Sequence, residues 1–283
     1  MGTSCFVLRP GTRERTWTVK KVLTIAGSDS SGGAGIQADL KTMTSLGVYG
    51  MSAVTALTAQ NTTGVYGVLE AAPEFVALQL DCIFQDIRPD AVKIGMVSSG
   101  EIIRVIAAKL RAFGAEHIVV DPVMVATSGS SLMQDSALAA LTGELFPLAE
   151  VITPNLPEAQ RLCGFAIGGE ADMLRAAAAI GEQVPGGVLL KGGHLTDTAD
   201  DLLWLEGQAH WFRARRVDNP NNHGSGCTLS SAIASFLALG YPLPEAMDKA
   251  KTYITACIEA QLDLGAGSGP LKHNYAIAEG GAL

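Results

Sequence analysis

The sequence lacks the long apolar segments that would mark a membrane protein. None of its apolar runs reaches the roughly 18 to 20 residues needed to cross a bilayer. Its alanine-rich stretch, 176–180, is short and lies between Arg175 and Glu182. We therefore expect a soluble protein with no membrane partner.

Basic residues are also scarce. The 283 residues include 20 Lys and Arg against 28 Asp and Glu, which gives a net charge of -8. Affinity for nucleic acid depends on Lys and Arg neutralising phosphates, so this balance argues against a nucleic-acid partner and favours a small-molecule substrate. Hydrophobic residues make up 48% of the chain, enough for a sizeable core, and no linker interrupts it.

The chain has few cysteines, and no two of them have the close spacing of a metal-binding or redox motif. An odd number without a CxxC motif excludes both a disulfide framework and a common zinc site. A reducing compartment fits this usage, and we expect the protein to be cytoplasmic. The cysteines are Cys5, Cys82, Cys163, Cys227 and Cys257.

The first 20 residues lack periodic apolar character. They contain Arg9, Arg13 and Arg15 but no apolar core of a signal peptide. We predict a disordered extension over residues 1–20 and a single domain over residues 21–283.

Beyond the extension, short apolar runs alternate with segments of helical periodicity. This order predicts right-handed βαβ crossovers and a mainly parallel sheet that is covered on both faces. Ligands of such α/β sheets bind beyond the carboxyl ends of the strands. The predicted strands are 22–26, 51–57, 91–94, 117–121, 151–153 and 188–191, with a hairpin over 201–205 and 210–212. The predicted helices are one that contains Ile36, Leu40 and Met43, then 73–87, 102–113, about 136–146, one from Leu156, one from Ala171, one after Gly226 and 244–262.

A glycine-rich loop, 27–35, follows the first predicted strand. Glycines allow close approach of the backbone to a ligand. Gly33, Gly35 and Ala38 loosely match a dinucleotide fingerprint, which would suggest a dehydrogenase. We reject that interpretation because the loop is long and the second strand ends without a ribose-binding acid. Taken alone, the loop could equally be a helix entry that binds nothing.

A second glycine-rich turn, 222–228, directly precedes a helical segment. Free N–H groups at a helix start, opened by Gly224, Ser225 and Gly226, can hold a phosphate. The sequence has no Walker GxxxxGK[ST] motif, so any phosphate site here must use the turn itself. An ordinary helix cap is the alternative. We also expect the helix start to lower the pKa of Cys227 toward neutrality, although an inert buried cysteine is possible.

Polar residues follow three further strands at the predicted ligand edge. Asp121 and Glu158 could supply oxygen ligands to magnesium, either directly or through water. Asn155 and Glu158 could instead cap the following helix. Lys191, at the end of an apolar strand, suits a polyphosphate but could also be solvated.

Taken together, these segments resemble the hydroxymethylpyrimidine and phosphomethylpyrimidine kinases of thiamine biosynthesis. Seven motifs occur in order across about residues 22–264, and their order is far more specific than any one loop. They are the segments 23–42 and 55–62, Lys93-Ile94-Gly95-Met96, Asp121-Pro122-Val123-Met124, Thr153-Pro154-Asn155-Leu156-Pro157-Glu158-Ala159, Lys191-Gly192-Gly193-His194 and 223–230.

The resemblance implies a three-layer α/β/α ribokinase-like fold and a homodimer. It implies magnesium- and ATP-dependent phosphorylation of the hydroxymethyl group of the pyrimidine and then of the resulting monophosphate. Ser225 stands where threonine is frequent in this family and keeps the hydroxyl.

The resemblance also implies roles for individual residues. Asp39, Gln60 and Met96 should contact the pyrimidine, and Ala34 and Val123 should line its pocket. Asn155 and Glu158 correspond to the NxxE element that governs magnesium and phosphate, and Lys191 would face the phosphates. Gly224, Ser225, Gly226 and Cys227 would form the anion hole, with Cys227 accepting the proton of the substrate hydroxyl.

Two other functions fit the same residues. Relatives with this glycine turn phosphorylate pyridoxal or pyridoxine, which are flat heterocycles that also carry a hydroxymethyl group. Discrimination between such rings amounts to only about 1 to 3 kcal/mol. A non-catalytic vitamin or nucleotide sensor is the other alternative, although it would not need Asn155, Glu158, Lys191 and Cys227 together.

Overall fold

The computed structural model describes residues 19–124, 135–193 and 198–277, without the side chains of residues 135 and 136. Its strands are β1 (Lys21–Asp29), β2 (Tyr49–Asn61), β3 (Gly64–Glu70), β4 (Ala91–Ile94), β5 (Ile118–Val120), β6 (Val151–Ile152), β7 (Gly187–Leu190), β8 (Asp201–Leu205) and β9 (Gln208–Phe212). Its α-helices are α1 (Gly35–Ser45), α2 (Pro73–Asp86), α3 (Gly100–Phe113), α4 (Asp135–Ala140), α5 (Leu156–Cys163), α6 (Glu170–Gly181), α7 (Ser225–Ala238) and α8 (Leu243–Glu259).

The strands form one sheet in the order β3-β2-β1-β4-β5-β6-β7-β8-β9. The pairs from β2 through β7 are parallel, whereas β3, β8 and β9 join antiparallel at the two ends. The predicted mainly parallel sheet is therefore confirmed. Parallel strands end at the same edge, so the residues that follow β1, β4, β5, β6 and β7 meet there.

Helices cover both faces of the sheet and bury a separate apolar cluster on each. Val22 and Val119 pack on one face with residues of α7 and α8, while their chain neighbours Leu23 and Val120 pack on the other with residues of α2 and α3. Successive side chains of a strand point to opposite faces, so a central strand covered on both sides is apolar throughout. The predicted three-layer α/β/α architecture is confirmed.

Several predicted boundaries were wrong, most of all at the amino-terminal end of the sheet. β1 continues to Asp29, because residues 28 and 29 still pair with β2 after an irregularity at residue 27, and β2 runs to Asn61 instead of ending at 57. β3 was not predicted, because its side chains are mostly exposed and so lack an apolar alternation. The helix expected at 136–146 becomes α4, a π turn (Leu141–Leu145) and a 3₁₀ turn (Phe146–Leu148).

Of the predicted extension, residues 1–18 lie outside the described residues. Lys20 belongs to the folded domain instead, because its amine pairs with Asp90 at 3.1 Å and its carbonyl accepts from the N–H of Tyr49 at 2.8 Å. No helix in the described ranges is long and apolar enough to cross a membrane.

A buried ion pair joins the centre of the sheet to α1. Lys93 on β4 donates to both carboxylate oxygens of Asp39 at 2.9 Å, and both side chains are 0% exposed. Thr24 on β1 donates to the same carboxylate at 2.6 Å and Ser231 on α7 at 2.7 Å. Every oxygen of Asp39 is thus partnered, as a buried charge requires.

We predict that breaking this pair on one side destabilises the protein strongly. Lys93→Met leaves the carboxylate of Asp39 without a counter-ion and should lower the free energy of unfolding by about 3–5 kcal/mol. The double variant Asp39→Asn/Lys93→Met removes both charges and should lose less. Urea unfolding at neutral pH measures each value.

The matched control is Lys109→Met, which breaks an ion pair with Asp81 in which each side chain is about 30% exposed. That change should cost less than about 1 kcal/mol. Equal losses in Lys93→Met and Lys109→Met would contradict the importance of burial.

Candidate active site

A cavity of about 1040 Å³ opens at the carboxyl ends of the parallel strands. Both glycine-rich loops and the ends of β2, β5 and β7 contribute to its wall. All but one of the residues predicted to form a site line it. They are Ala34, Gln60, Met96, Asp121, Val123, Asn155, Glu158, Lys191, Gly224, Ser225, Gly226 and Cys227.

Asp39 is the exception, and the contact predicted between Asp39 and a pyrimidine is corrected. Its carboxylate does not line the cavity and is fully buried against Lys93, Thr24 and Ser231. α1 turns this residue toward the sheet and not toward the loop that precedes the helix. Asp39 therefore balances a buried lysine beneath the site.

The two glycine-rich loops, considered separately in the sequence, touch each other. Gly224 has φ +82°, and a Cβ on it would lie 1.9 Å from the carbonyl oxygen of Gly33. A side chain at this position would meet both backbone strain and a clash. The contact brings the entry of α1 beside the entry of α7.

The start of α7 has the geometry expected of an anion site. Gly224 is its N-cap in the left-handed conformation, and Ser225 uses its N–H to donate to Asn222. The N–H groups of Gly226 and Cys227 lie in the first helical turn, where no intrahelical acceptor exists. These two donors, with the helix dipole, can hold a negative oxygen.

A lysine lies directly under this turn. The amine of Lys191 is 2.7 Å from Asp121 Oδ1, which also accepts from Thr153 at 3.0 Å. Burial raises the pKa of Asp121, but the nearby amines of Lys191 and Lys93 outweigh burial and hold it below the ordinary value. A Cβ on Gly226 would lie 3.3 Å from the Lys191 amine, so glycine allows the turn to sit close to the cation.

Asn155 and Glu158 do cap α5, as the structural alternative predicted. Asn155 Oδ1 accepts from the N–H of Glu158 at 2.9 Å, and Glu158 Oε2 accepts from the N–H of Asn155 at 2.8 Å. Both residues also line the cavity. Burial raises the pKa of Glu158 to about 6; Asp121 adds to the rise and Lys191 opposes it.

The pKa predicted for Cys227 was wrong in direction. Burial, with the carboxylates of Asp39 and Asp121, raises the pKa of the thiol to about 11, although Lys93 and the N–H of Gly35 oppose the rise. The helix start does not overcome the loss of hydration and the two negative charges. Cys227 is therefore a neutral, half-buried thiol at neutral pH.

Sequence reasoning missed the far half of the cavity. Val217, Ile254 and Ile258 form an apolar wall there, and Arg215 and Arg216 contribute cationic groups. The apolar stripe of α8 looked like ordinary core, because a helix buries such a stripe in any α/β protein. The basic segment 213–216 was a sequence feature that could have indicated this end of the cavity. His194, part of one quoted motif, lies outside the described residues.

Comparison with known sequences identifies the family. The sequence pattern of the phosphomethylpyrimidine kinase family matches residues 29–272. The hydroxymethylpyrimidine/phosphomethylpyrimidine kinase of Rhizobium meliloti is 54% identical over 89% of this chain and 96% of its own length. The thiamine biosynthesis bifunctional protein ThiED of Geobacter sulfurreducens is 53% identical over 91% of this chain, which spans about half of that protein (53%).

Solved structures agree in fold. The phosphomethylpyrimidine kinase of Clostridium difficile superposes with a TM-score of 0.75 at 48% identity, covering 83% of this chain and 98% of that one. An ADP complex of Bacillus subtilis pyridoxal kinase gives 0.84 at 38% identity, covering 92% and 99%. The ordered motifs, the shared fold and the match over residues 29–272 together show that this chain belongs to the phosphomethylpyrimidine kinase family.

Proposed function

We propose that the protein transfers the γ-phosphoryl group of ATP to 4-amino-5-hydroxymethyl-2-methylpyrimidine and then to its monophosphate. The observation that carries this proposal is that one cavity holds the ring-facing residues Gln60 and Met96 beside the anion turn at Gly226 and Cys227. A kinase needs this combination, because the acceptor and the transferring phosphate must be in contact.

The pyrimidine would bind between the first loop and the ends of β2 and β4. Met96 and Val123 supply apolar surface for a flat ring, and Ala34 leaves room beside it. Gln60 is half-buried, and its amide offers both a donor and an acceptor to an aminopyrimidine edge.

The triphosphate would run from the anion turn along Lys191 toward the apolar wall formed by α8. The N–H groups of Gly226 and Cys227 stabilise charge on the transferring phosphoryl group, and the amine of Lys191 adds a positive charge nearby. The hydroxymethyl oxygen attacks the γ-phosphorus, the bond to the ADP oxygen breaks, and the hydroxyl proton passes to Cys227 in the small fraction of molecules whose thiol is ionised. Val217, Ile254 and Ile258 would contact the adenine.

The site also suits magnesium. Among the described residues, no group of three or more His, Cys, Asp or Glu side chains forms a metal site. Magnesium bound to a nucleotide needs only one or two carboxylates besides phosphate oxygens and water, and Asp121 and Glu158 line the wall next to Lys191. When bound, the ion neutralises phosphate charge, while Asp121 and Glu158 hold it or its waters in place.

Pyridoxal kinase activity is the second candidate. It is favoured by the close superposition on pyridoxal kinases of Bacillus subtilis and Staphylococcus aureus, with TM-scores of 0.84 at 38% and 36% identity. The higher identity to hydroxymethylpyrimidine/phosphomethylpyrimidine kinases, 40–54%, supports the pyrimidine as the main substrate. A sensor without activity is disfavoured, because the cavity keeps Lys191, Asp121 and Glu158 together.

We predict magnesium-dependent turnover of both the pyrimidine and its monophosphate. ADP release should be measured with each substrate, with pyridoxal and with no acceptor, in the presence of magnesium and of EDTA. Turnover should require an acceptor and stop with EDTA. Good turnover of pyridoxal with none of either pyrimidine would establish the second candidate, and no acceptor-dependent turnover at all would favour the sensor.

We predict that Cys227→Ala lowers kcat by about 10² to 10⁴ with little change in ATP affinity, because it removes the proton acceptor and leaves the backbone donors in place. Since the thiol has a pKa of about 11, the thiolate fraction rises with pH, so the wild-type kcat should increase from about pH 7 to about pH 9. The alanine variant should lose that increase.

Alkylation by iodoacetamide provides an independent check on the thiol. The exposed Cys82 should react before Cys227 at neutral pH, and Cys227 should react faster as the pH rises.

A Cys227→Ala enzyme with nearly wild-type kcat would show that positioning and charge neutralisation alone carry the reaction.

A homodimer is proposed from the exposed end of the sheet. β3 is an edge strand, and Leu57 on β2 pairs in register with Leu69 on β3, both more than half exposed. Tyr66 and Val68 on β3 are also exposed. An apolar edge of this kind is a pairing surface unless something covers it, and a second copy would cover it symmetrically.

We predict that Leu69→Lys converts a dimer into a monomer, because it places a charge in the covered surface. Leu239→Lys is the control, since Leu239 is exposed at the end of α7, away from β3. Sedimentation equilibrium measures the mass of each. A monomeric wild type, or an unchanged dimer in Leu69→Lys, would contradict this assignment.

A further inference from the structure

His223 connects the second glycine-rich turn to residues at the ends of β1 and β2. It directly precedes Gly224 of the anion turn and is only 6% exposed. Its Nε2 lies 2.9 Å from Asp29 Oδ2, at the end of β1, and 3.3 Å from the side-chain nitrogen of Gln60, at the end of β2. No role was assigned to His223 from the sequence.

The contact with Asp29 decides which atom carries the proton. The carboxylate of Asp29 also accepts from the N–H groups of Ser31, Gly33 and Ala34 and from the hydroxyl of Ser31, at 2.8–3.1 Å. Burial raises its pKa, but the donors from His223 and Ser31 outweigh burial and hold the pKa of Asp29 far below its usual range. An ionised carboxylate only accepts, so Nε2 of His223 must carry a hydrogen and donate.

That assignment conflicts with a Gln60 NH₂ group facing His223, because two donors would then meet. The other end of the amide has the matching conflict. The Thr58 hydroxyl has one hydrogen and lies 2.9 Å from the carbonyl oxygen of Ser28, yet Gln60 Oε1 is 3.1 Å from the same hydroxyl. That single hydrogen cannot serve two acceptors fully.

Turning the Gln60 amide by 180° removes the meeting of two donors at His223 and the competition at Thr58. The NH₂ group then donates to the Thr58 hydroxyl, which donates to Ser28. The hydrogen on His223 Nε2 is shared between Asp29 Oδ2 at 2.9 Å and the Gln60 carbonyl oxygen, which then takes the position 3.3 Å away, so Asp29 accepts the stronger bond. One NH₂ hydrogen and one lone pair of Oε1 remain for a ligand.

We propose that His223 is a positioning residue for heterocycle recognition: its Nε2–H, held by Asp29, fixes the side-chain amide of Gln60 in one orientation, so that the donor and acceptor offered to the ring are set before binding. This inference rests on the proposed function, because it deepens the role of Gln60. The proposal also means that Asp29, in the glycine-rich loop 27–35, contributes indirectly to the selection of the ring.

Binding measurements test the positioning role. His223→Phe keeps a ring but removes the donor, and the affinity for the hydroxymethylpyrimidine should fall by about 5- to 150-fold, as for a lost buried hydrogen bond. Affinity for a non-hydrolysable ATP analogue should change by less than about twofold. His223→Gln supplies an N–H at similar reach and should restore most of the loss. His210→Phe on β9, which does not line the cavity, is the control.

The proposal would be overturned if His223→Phe lowered the affinities for the pyrimidine and for the nucleotide equally. It would also be overturned if His223→Gln had wild-type thermal unfolding but did not restore the affinity for the pyrimidine. Calorimetry measures binding directly, so these results do not depend on turnover. A wild-type protein that binds the pyrimidine without phosphorylating it would contradict the proposed function and leave this test standing.

A second measurement needs no substrate. Nitrogen-15 NMR of the histidine-labelled wild-type protein reports whether Nε2 of His223 carries a hydrogen, with His223→Gln used to assign the signal. A protonated Nε2 is expected. A neutral ring protonated only at Nδ1 would make Nε2 an acceptor for the Gln60 NH₂ group and would overturn the proposed orientation.

Discussion

The close contact between the Gly33 carbonyl and Gly224 is the constraint on which the rest of the site depends. The entries of α1 and α7 come from opposite ends of the chain, and a side chain at Gly224 would keep them apart. With hydrogen alone at that position, the loop that would hold the heterocycle lies against the turn that would hold the phosphate. Proximity of this kind is a large part of what a phosphotransferase contributes to its reaction.

Two lysine–aspartate ion pairs lie beneath that contact. Lys93 and Asp39 form a fully buried pair, and Lys191 and Asp121 form a second pair directly under the anion turn. The two pairs are close enough to interact, because Lys93 also lowers the pKa of Asp121. The same carboxylates, with burial, keep Cys227 protonated. The site is thus prepared to receive an anion and does not hold a preformed thiolate.

Several residues serve the fold and the site together. Asn155 and Glu158 form a capping box for α5 and line the cavity, so their structural role does not argue against a functional one. Asp29 closes the first loop through four donors of residues 31–34 and also holds His223. Sharing side chains in this way couples the shape of each loop to the orientation of the groups that face a ligand.

The sequence by itself determined the α/β class, the parallel centre of the sheet, the edge at which the site lies and most of the residues in its wall. These follow from local signals: apolar runs, glycine turns before helices, and polar residues just after strands. It missed β3, because an exposed edge strand carries no apolar alternation. It also missed the apolar wall on α8, whose stripe is indistinguishable from core.

Only the tertiary structure decided the direction in which side chains point and the charges that surround them. Asp39 turned away from the cavity toward Lys93, a partner 54 residues later in the chain. Cys227 gained a higher pKa in place of a lower one, because the fold buries it and places Asp39 and Asp121 from other elements near it. His223 acquired its role through Asp29 and Gln60, 194 and 163 residues away. Electrostatic and hydrogen-bond effects depend on distance in space, which local sequence patterns do not specify.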